Sequence, residues 1–238
     1  MSVLPTDAPA PGILRLRMDR PDSRNAVDRE LAEALLQAFE APDAAVVILG
    51  SGRPGAFCSG LDLSLPPSER VAVSDLLYQV YERMLTSPAP IVASIGGPAI
   101  GGGAQLAIAS DLRVAAPGAM IRFAGPGHGL AVGAWGLGSL VGRGRAMDLC
   151  LSMRPVSTDE AKAIGLVDRV ADDPDAASLE LATQLAGLDR AAVTRVKRLT
   201  SESSGWLEAL RRERRENLAA WSGEIPEGAL PAAPRDDA

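Results

Sequence analysis

The stretch that most restricts what this chain can fold into is Ile91-Val-Ala-Ser-Ile-Gly-Gly-Pro-Ala-Ile-Gly-Gly-Gly-Ala-Gln-Leu-Ala-Ile-Ala-Ser-Asp111. Pro88 and Pro90 exclude helix just before it, β-branched residues carry a strand to Ile95, and Gly96-Gly97-Pro98 breaks that strand. A helix over 102–110 is the natural continuation, and its first amides have no intrahelical partner. They also carry the positive end of the helix dipole, so they can hold an oxygen that gains negative charge. Three glycines in a row let a ligand touch the backbone without meeting a Cβ. The spacing is neither G-x-G-x-x-G nor G-x-x-x-x-G-K-[ST], so neither a dinucleotide fingerprint nor a P-loop is present.

A second stretch repeats the arrangement. Ala45-Val-Val-Ile-Leu-Gly50-Ser-Gly-Arg-Pro-Gly55-Ala-Phe57-Cys58-Ser59-Gly60-Leu61-Asp62-Leu63 reads as a buried strand followed by a small-residue turn with free amides. With both turns present and Arg24-Asn25-Ala26 upstream, the chain resembles the enoyl-CoA hydratase/isomerase family, also called the crotonase family. The resemblance runs from about Ile13 to about Val170. It includes Met18-Asp-Arg-Pro21, Ser110-Asp-Leu-Arg-Val-Ala115 and Ser157-Thr-Asp-Glu-Ala161 followed by Gly165-Leu-Val167, in addition to the two glycine turns.

Composition sets outer bounds. With 238 residues, 47% of them hydrophobic, the chain can bury one large core with an appendage. Aromatics are 3%, so that core must be closely packed Ala, Val, Leu and Ile. A net charge of −6 argues against a general nucleic-acid or anionic-membrane surface. No apolar run is long enough for membrane insertion and the N-terminus lacks the features of a signal peptide, so a cytoplasmic protein is expected. Cys58 and Cys150 form no metal-ligand pattern and are expected as reduced, buried thiols, and the single histidine, His128, gives no basis for a zinc site.

Along the chain, a loose Pro/Ala start leads to a strand over 12–18. Asp28 is positioned to cap a helix over 29–39, a strand follows over 45–49, and 64–68 reads as an exposed loop. A helix over 70–86 carries Val73, Leu76, Leu77, Val80, Tyr81, Met84 and Leu85 at helical spacing, and the tyrosines read as packing. After the glycine helix come strands over 112–115 and 121–123, the glycine-dense 125–138, helices over 143–153 and 158–163, and a short strand over 167–170. From 172 onward the pattern is helical over 176–188, 191–201 and 206–221. Periodicity by itself says mixed α/β. The resemblance implies a spiral core of repeated β-β-α units over 1–171, then a C-terminal helical region over 172–238 that mediates trimers, with possible pairing of trimers. The Arg- and Glu-rich 205–220 reads as a solvated or intersubunit face. Pro226, Pro231, Pro234 and the acidic Arg235-Asp-Asp-Ala238 suggest a frayed tail where relatives continue as a helix covering a pocket.

The resemblance also assigns a site. It implies that a coenzyme A thioester is the ligand, with no separate cofactor, and that backbone amides of Leu61 and Gly102 form an oxyanion hole for the thioester carbonyl. It places the bent CoA against Arg24, Ala26, Ser59 and Leu61, with Arg24 and Arg53 near the phosphates. Trp135 is a candidate for lining the acyl chain. Hydratase chemistry, a lyase reaction, needs two carboxylates for proton transfer. At the two family positions this sequence has Gln105 and Gly127, and no other carboxylate is expected there. Glutamine has no usable pKa and glycine offers no group. Isomerase chemistry relies on the second carboxylate and suffers equally. His128, next to Gly127, is the candidate substitute, since imidazole suits acid/base work near neutral pH. Some family members share Gln at the first position and the Gly129-Leu-Ala131…Trp135 pattern, and these are thought to bind acyl-CoA without turnover. The leading expectation is therefore an acyl-CoA-binding member of the family, acting in fatty acid metabolism with little hydratase activity. The alternative is altered acyl-CoA chemistry (hydrolysis, decarboxylation or isomerisation) through His128.

Overall fold

The structure, a computed structural model, describes residues 2–40 and 42–227. It is a mixed α/β fold, as the sequence indicates. Strands β1 (Thr6–Ala10), β2 (Ile13–Met18), β3 (Val46–Ser51), β4 (Ile91–Ile95), β6 (Leu112–Ala115) and β9 (Arg169–Val170) form one sheet in the order β1-β2-β3-β4-β6-β9. Only the β1–β2 pair is antiparallel, and all the others run parallel. A second sheet holds β5 (Ala99–Ile100), β7 (Met120–Arg122) and β8 (Val156–Ser157) in that order.

The repeat behind this arrangement is visible strand by strand. β4 is followed by β5 and helix α3 (Gly102–Ala109), and β6 by β7 and, later, helix α4 (Ala134–Val141). β3 is followed by a bridge from Cys58 to Ala99 of β5 and then by α2 (Pro67–Thr86). Each unit gives one strand to the large sheet and one short pairing to the small one, and each then turns through glycines into a helix. The glycine turns therefore gather at one end of the parallel strands, where ligands of α/β sheets usually bind.

Both faces of the large sheet are covered, which explains why Val46-Val47-Ile48-Leu49 is apolar without alternation. Val47 and Leu49 face a core that includes Leu31, Leu35 and Phe39 of α1 (Arg29–Glu40) together with Leu77, Tyr81 and Met84 of α2. Val46 and Ile48, with Ile13, Val92 and Val114, face Leu181 and Ala182 of α7 (Pro174–Ala186). Asp28 caps α1 as anticipated, its Oδ1 accepting from Leu31 N at 3.0 Å. The remaining helices are α5 (Arg143–Ser152), α6 (Thr158–Ala163), α8 (Arg190–Ser204) and α9 (Trp206–Ala220).

Three features differ from the sequence reading. The loose start is an edge strand: Thr6 pairs with Leu16 and Asp7 with Arg15, with the register broken before Ala10. Pro9 is tolerated there because an edge strand needs few of its amides. The charged α9 is not wholly solvated, because Arg214 pairs with Asp75 at 2.6 Å and Arg211 with Glu82 at 2.6 Å, both on α2 of the same chain. Fraying also does not begin at Trp221. That residue is buried against Gly129, and Arg70 Nη1 donates to Gly223 O at 2.9 Å. Pro226 is exposed, while Pro231, Pro234 and residues 235–238 lie outside the described residues.

Candidate functional site

Three turns meet at the end of β3 and β4. The first, Arg24-Asn25-Ala26, is tight: Arg24 and Asn25 both hold left-handed backbone, at φ 52° and 57°. Asn25 is fully buried and explains how that conformation is kept. Its Oδ1 accepts from Arg20 N at 2.8 Å, while its Nδ2 donates to Ser51 Oγ at 2.9 Å and to Phe57 O at 2.8 Å. One amide side chain thus ties the first turn to the end of β3 and to the second turn.

The second turn, 57–63, lies against both others. Ser59 N donates to Arg24 O at 3.1 Å and Ser59 Oγ to Ser23 O at 3.0 Å. Val27 N donates to Gly60 O at 2.7 Å and Asp62 N to Val27 O at 3.0 Å, pairing Val27 with Leu61. The expected CoA-contact residues Arg24, Ala26, Ser59 and Leu61 are therefore neighbours. The Arg53 guanidinium donates to Pro21 O on the same rim. Asp62 anchors its turn, taking Ser64 N at 3.0 Å and Ser64 Oγ at 2.6 Å on Oδ1, with Arg20 on Oδ2.

The third turn is the glycine run that opens α3. Ile100 N donates to Cys58 O at 2.9 Å, and Phe57 N and Cys58 N donate to Pro98 O. The approach is so close that a Cβ on Gly103 would sit 2.1 Å from Cys58 O, and one on Gly60 would sit 3.0 Å from Gly102 N. This contact needs glycine on both sides. Leu61 N and Gly102 N donate to no carbonyl among the described residues. Behind Gly102, Tyr81 Oη donates to its carbonyl at 3.0 Å.

Cys58 is buried and its thiol is pushed up to about 12 by that burial, so it is no nucleophile at neutral pH. Burial likewise raises the Cys150 thiol to about 11.

Gln105, one turn into α3, is buried, and its Oε1 accepts from Trp135 Nε1 at 2.8 Å and from Gly133 N at 3.1 Å. Trp135 is itself buried and meets Trp206 edge to face, with ring centroids 5.6 Å apart. Gly127 lies in a short 3-10 turn over Pro126–His128 and donates its N–H to Met153 Sδ at 3.0 Å. His128 is half-buried; its Nδ1 lies 2.8 Å from Ala124 O and its Nε2 is buried with no partner among the described residues.

The sequence reading placed no further carboxylate here, and that expectation is corrected by α9. Glu213 is 6% exposed. Its Oε1 accepts from Tyr78 Oη at 2.7 Å and from Gly133 N at 3.1 Å, and its Oε2 accepts from Trp135 N at 2.9 Å. Asn217 Nδ2 completes the cluster by donating to Tyr78 Oη at 2.8 Å and to Ala131 O at 2.8 Å. Burial raises the Glu213 carboxyl above the ordinary carboxylate value, against the pull of its hydrogen bonds. Nothing in the local sequence Arg211-Arg-Glu-Arg-Arg215 marks this glutamate, because only the docking of α9 on α2 and α4 buries it.

Comparison with known proteins decides the family. The family model described as enoyl-CoA hydratase/isomerase matches residues 9–220.

The chain belongs to that family.

A probable enoyl-CoA hydratase, echA6, of Mycobacterium tuberculosis is 37% identical over 207 residues, covering 84% of this chain and 83% of that protein. Among solved structures, an enoyl-CoA hydratase/isomerase from Mycobacterium paratuberculosis superposes with a TM-score of 0.85 over 95% of both chains at 24% identity, which speaks to fold. A monofunctional enoyl-CoA isomerase from M. smegmatis gives a TM-score of 0.73 at 28% identity, covering 89% of this chain and 99% of that one. Among the described residues there is no cluster of His, Cys, Asp and Glu able to hold a metal ion, and no helix is long and apolar enough to cross a membrane.

Proposed function

We propose that this member of the enoyl-CoA hydratase/isomerase family binds acyl-CoA thioesters through the backbone amides of Leu61 and Gly102 and hydrates them little or not at all. The observation that carries the reading is the contact of the two turns, in which a Cβ on Gly60 would lie 3.0 Å from Gly102 N while neither candidate amide has a carbonyl partner among the described residues. Such a pair receives a thioester carbonyl and needs no side chain to do so. The rim formed by Arg24, Ala26, Ser59 and Leu61 suits the CoA moiety.

Proton transfer is the step this site lacks. Gln105 carries no titratable proton, and its oxygen is committed to Trp135 and Gly133. Gly127 has no side chain. Glu213 is buried and its oxygens accept from Tyr78 Oη, Gly133 N and Trp135 N, so the carboxylate serves as a tie between α9 and the 131–135 segment. The test pairs calorimetric titration with acyl-CoA esters and a crotonyl-CoA hydration assay on the same preparation. Binding without turnover is expected, and hydration at ordinary hydratase rates would defeat the proposal.

One observation favours a second reading. With Nδ1 donating to Ala124 O, the second ring nitrogen of His128, Nε2, is buried and has no partner among the described residues, which leaves it for a ligand to meet. A panel of acyl-CoA substrates assayed with wild type and His128→Ala separates the two, because only the second reading expects a loss. We also propose a homotrimer. The family resemblance carries this part, and Val196 and Leu199 of α8, 66% and 56% exposed, with Leu151 of α5, 62% exposed, are apolar side chains that a neighbouring subunit would cover. Light scattering that reports a monomer would remove this part.

A further inference from the structure

The direction of the Leu61 N–H is set by the peptide groups on either side of it. Val27 N donates to Gly60 O at 2.7 Å, and Asp62 N donates to Val27 O at 3.0 Å. Successive peptide groups of a bridged segment face opposite edges, so these two bonds turn the Leu61 N–H away from Val27. It donates to no carbonyl among the described residues. The Val27–Leu61 pair is an isolated bridge with no ladder on either side of it. The aim of this amide therefore depends on what keeps residues 26–28 and 60–62 in register.

Arg20 spans both segments. Its backbone is fixed first, with Arg20 N donating to Asn25 Oδ1 at 2.8 Å and Arg20 O accepting from Asn25 N at 3.0 Å. From that base the guanidinium donates to Ala26 O and lies 2.9 Å from Asp28 Oδ2 on one segment. On the other, both of its terminal nitrogens donate to Asp62 Oδ2 at 3.3 Å. Asp28 Oδ1 is taken by the α1 cap and Asp62 Oδ1 by Ser64, which leaves two Oδ2 atoms facing one mostly buried guanidinium. A planar fork suits this task, because its N–H groups leave at fixed angles. Gly102 is held by other means, standing at the start of α3 with its carbonyl bonded to Tyr81 Oη.

We propose that Arg20 is a positioning residue for the thioester site: by clamping Ala26 O and Asp28 to Asp62, it fixes the register of the Val27–Leu61 bridge and so aims the Leu61 N–H at the ligand carbonyl. This rests on the reading of Leu61 and Gly102 as the thioester donors. Arg20 needs no contact with the ligand to act in this way. Lysine cannot replace it, because one ammonium on a flexible stem does not hold acceptors on both segments at fixed angles. Losing the clamp frees one donor of the two and leaves Gly102 in place.

The readout is the ratio of calorimetric affinities for butyryl-CoA and S-butyl-CoA, a thioether without the carbonyl, with the carbonyl stretch of bound butyryl-CoA beside it. Contacts to the CoA moiety cancel in the ratio, and lost stability alone moves neither quantity below the melting range. Arg20→Met and Arg20→Lys should each lower the wild-type preference for the thioester by about 2- to 10-fold, the worth of one neutral hydrogen bond. The carbonyl shift should shrink in both and persist in part through Gly102. Arg15→Met is the control, since Arg15 pairs with Asp7 at 2.6 Å on the sheet edge: it should cost stability and leave ratio and shift unchanged. Asp62→Asn breaks the clamp from its other end, keeping an Oδ1 acceptor for Ser64 while turning an amide NH2 toward Arg20. It should show the same loss, which covers the case of both Arg20 variants failing to fold. Full preference and full shift in a folded Arg20 variant or in Asp62→Asn overturn the inference, as does an equal loss in Arg15→Met. A wild type with neither preference nor shift removes the two-amide reading itself, whereas an overturning result in the variants leaves that reading standing.

Discussion

Replacing Gly60 by alanine tests the geometry of the two turns directly. At Gly60 φ is +89°, and an added Cβ would lie 2.6 Å from Ile100 O and 3.0 Å from Gly102 N. The left-handed backbone alone costs an L-residue about 1–2 kcal/mol. Ordinary contact begins at 3.4 Å, so the turns must also part by several tenths of an ångström. A carbonyl held at hydrogen-bond distance by both amides then loses good geometry to at least one. A neutral hydrogen bond contributes about 0.5–1.5 kcal/mol, which corresponds to roughly 2- to 10-fold in affinity. The assay compares calorimetric affinities of butyryl-CoA and its thioether analogue S-butyl-CoA, which lacks the carbonyl. Wild type should prefer the thioester, and Gly60→Ala should lose most of that preference while binding the thioether as before. Gly55→Ala is the matched control, since Gly55 has φ +73° with nothing within 4 Å of an added Cβ. It should lose stability and keep the preference. A Gly60→Ala protein with the full thioester preference, or a wild type with none, would refute the reasoning.

Further outcomes follow from the buried groups. Lys197 is buried, donates to Met84 O and Ala89 O at 3.0 Å each, and pairs with Asp111 at 2.8 Å. Lys197→Ala removes one donor each from Met84 O, Ala89 O and Asp111, although Ser87 Oγ still donates to Ala89 O and Ile91 N to Asp111, so a loss of about 3 kcal/mol is expected in denaturant titration. The buried Cys58 thiol, raised to about 12, should stay unreactive toward a thiol reagent at pH 8 and react only after unfolding. Glu213 gives a pH signature with a definite sign: burial raises its folded pKa, so the folded chain keeps a proton the unfolded chain has released. Stability from this group is present in acid and is lost as pH rises above the ordinary glutamate range. Melting temperatures of Glu213→Gln should fall less than those of wild type over that rise, and parallel curves would contradict the assignment.

Much of this was legible in the residues. Ile91–Ile95, Leu112–Ala115 and Thr158–Ala163 stand where local pattern places them, because β-branched runs and a serine cap act within a few residues. The glycine turns were legible for the same reason, since closeness of approach is written into the absence of side chains. Strands β5 and β8 have two residues each and leave no periodicity to read. β1 was hidden by Pro9, whose usual meaning is reversed at a sheet edge. The least legible part was the buried cluster behind Gln105. Tyr78 reads as packing because it stands with Tyr81 on an apolar helix, and Glu213 reads as solvated because its sequence neighbours are charged. Their meeting is 135 residues apart in sequence and depends on the docking of α9. Asn25 was quoted for its motif, while its role as the tie among Arg20, Ser51 and Phe57 became visible only in three dimensions.

The central claim concerns one carbonyl oxygen, so its vibrational frequency is the most direct witness. Crotonyl-CoA labelled with carbon-13 at the thioester carbonyl, followed by difference infrared spectroscopy on the protein, should show that band shift to lower frequency on binding and then persist without change. A band that does not move would mean that Leu61 N and Gly102 N do not receive the oxygen, and its replacement by the spectrum of the 3-hydroxy ester would mean that a proton-transfer group operates here after all.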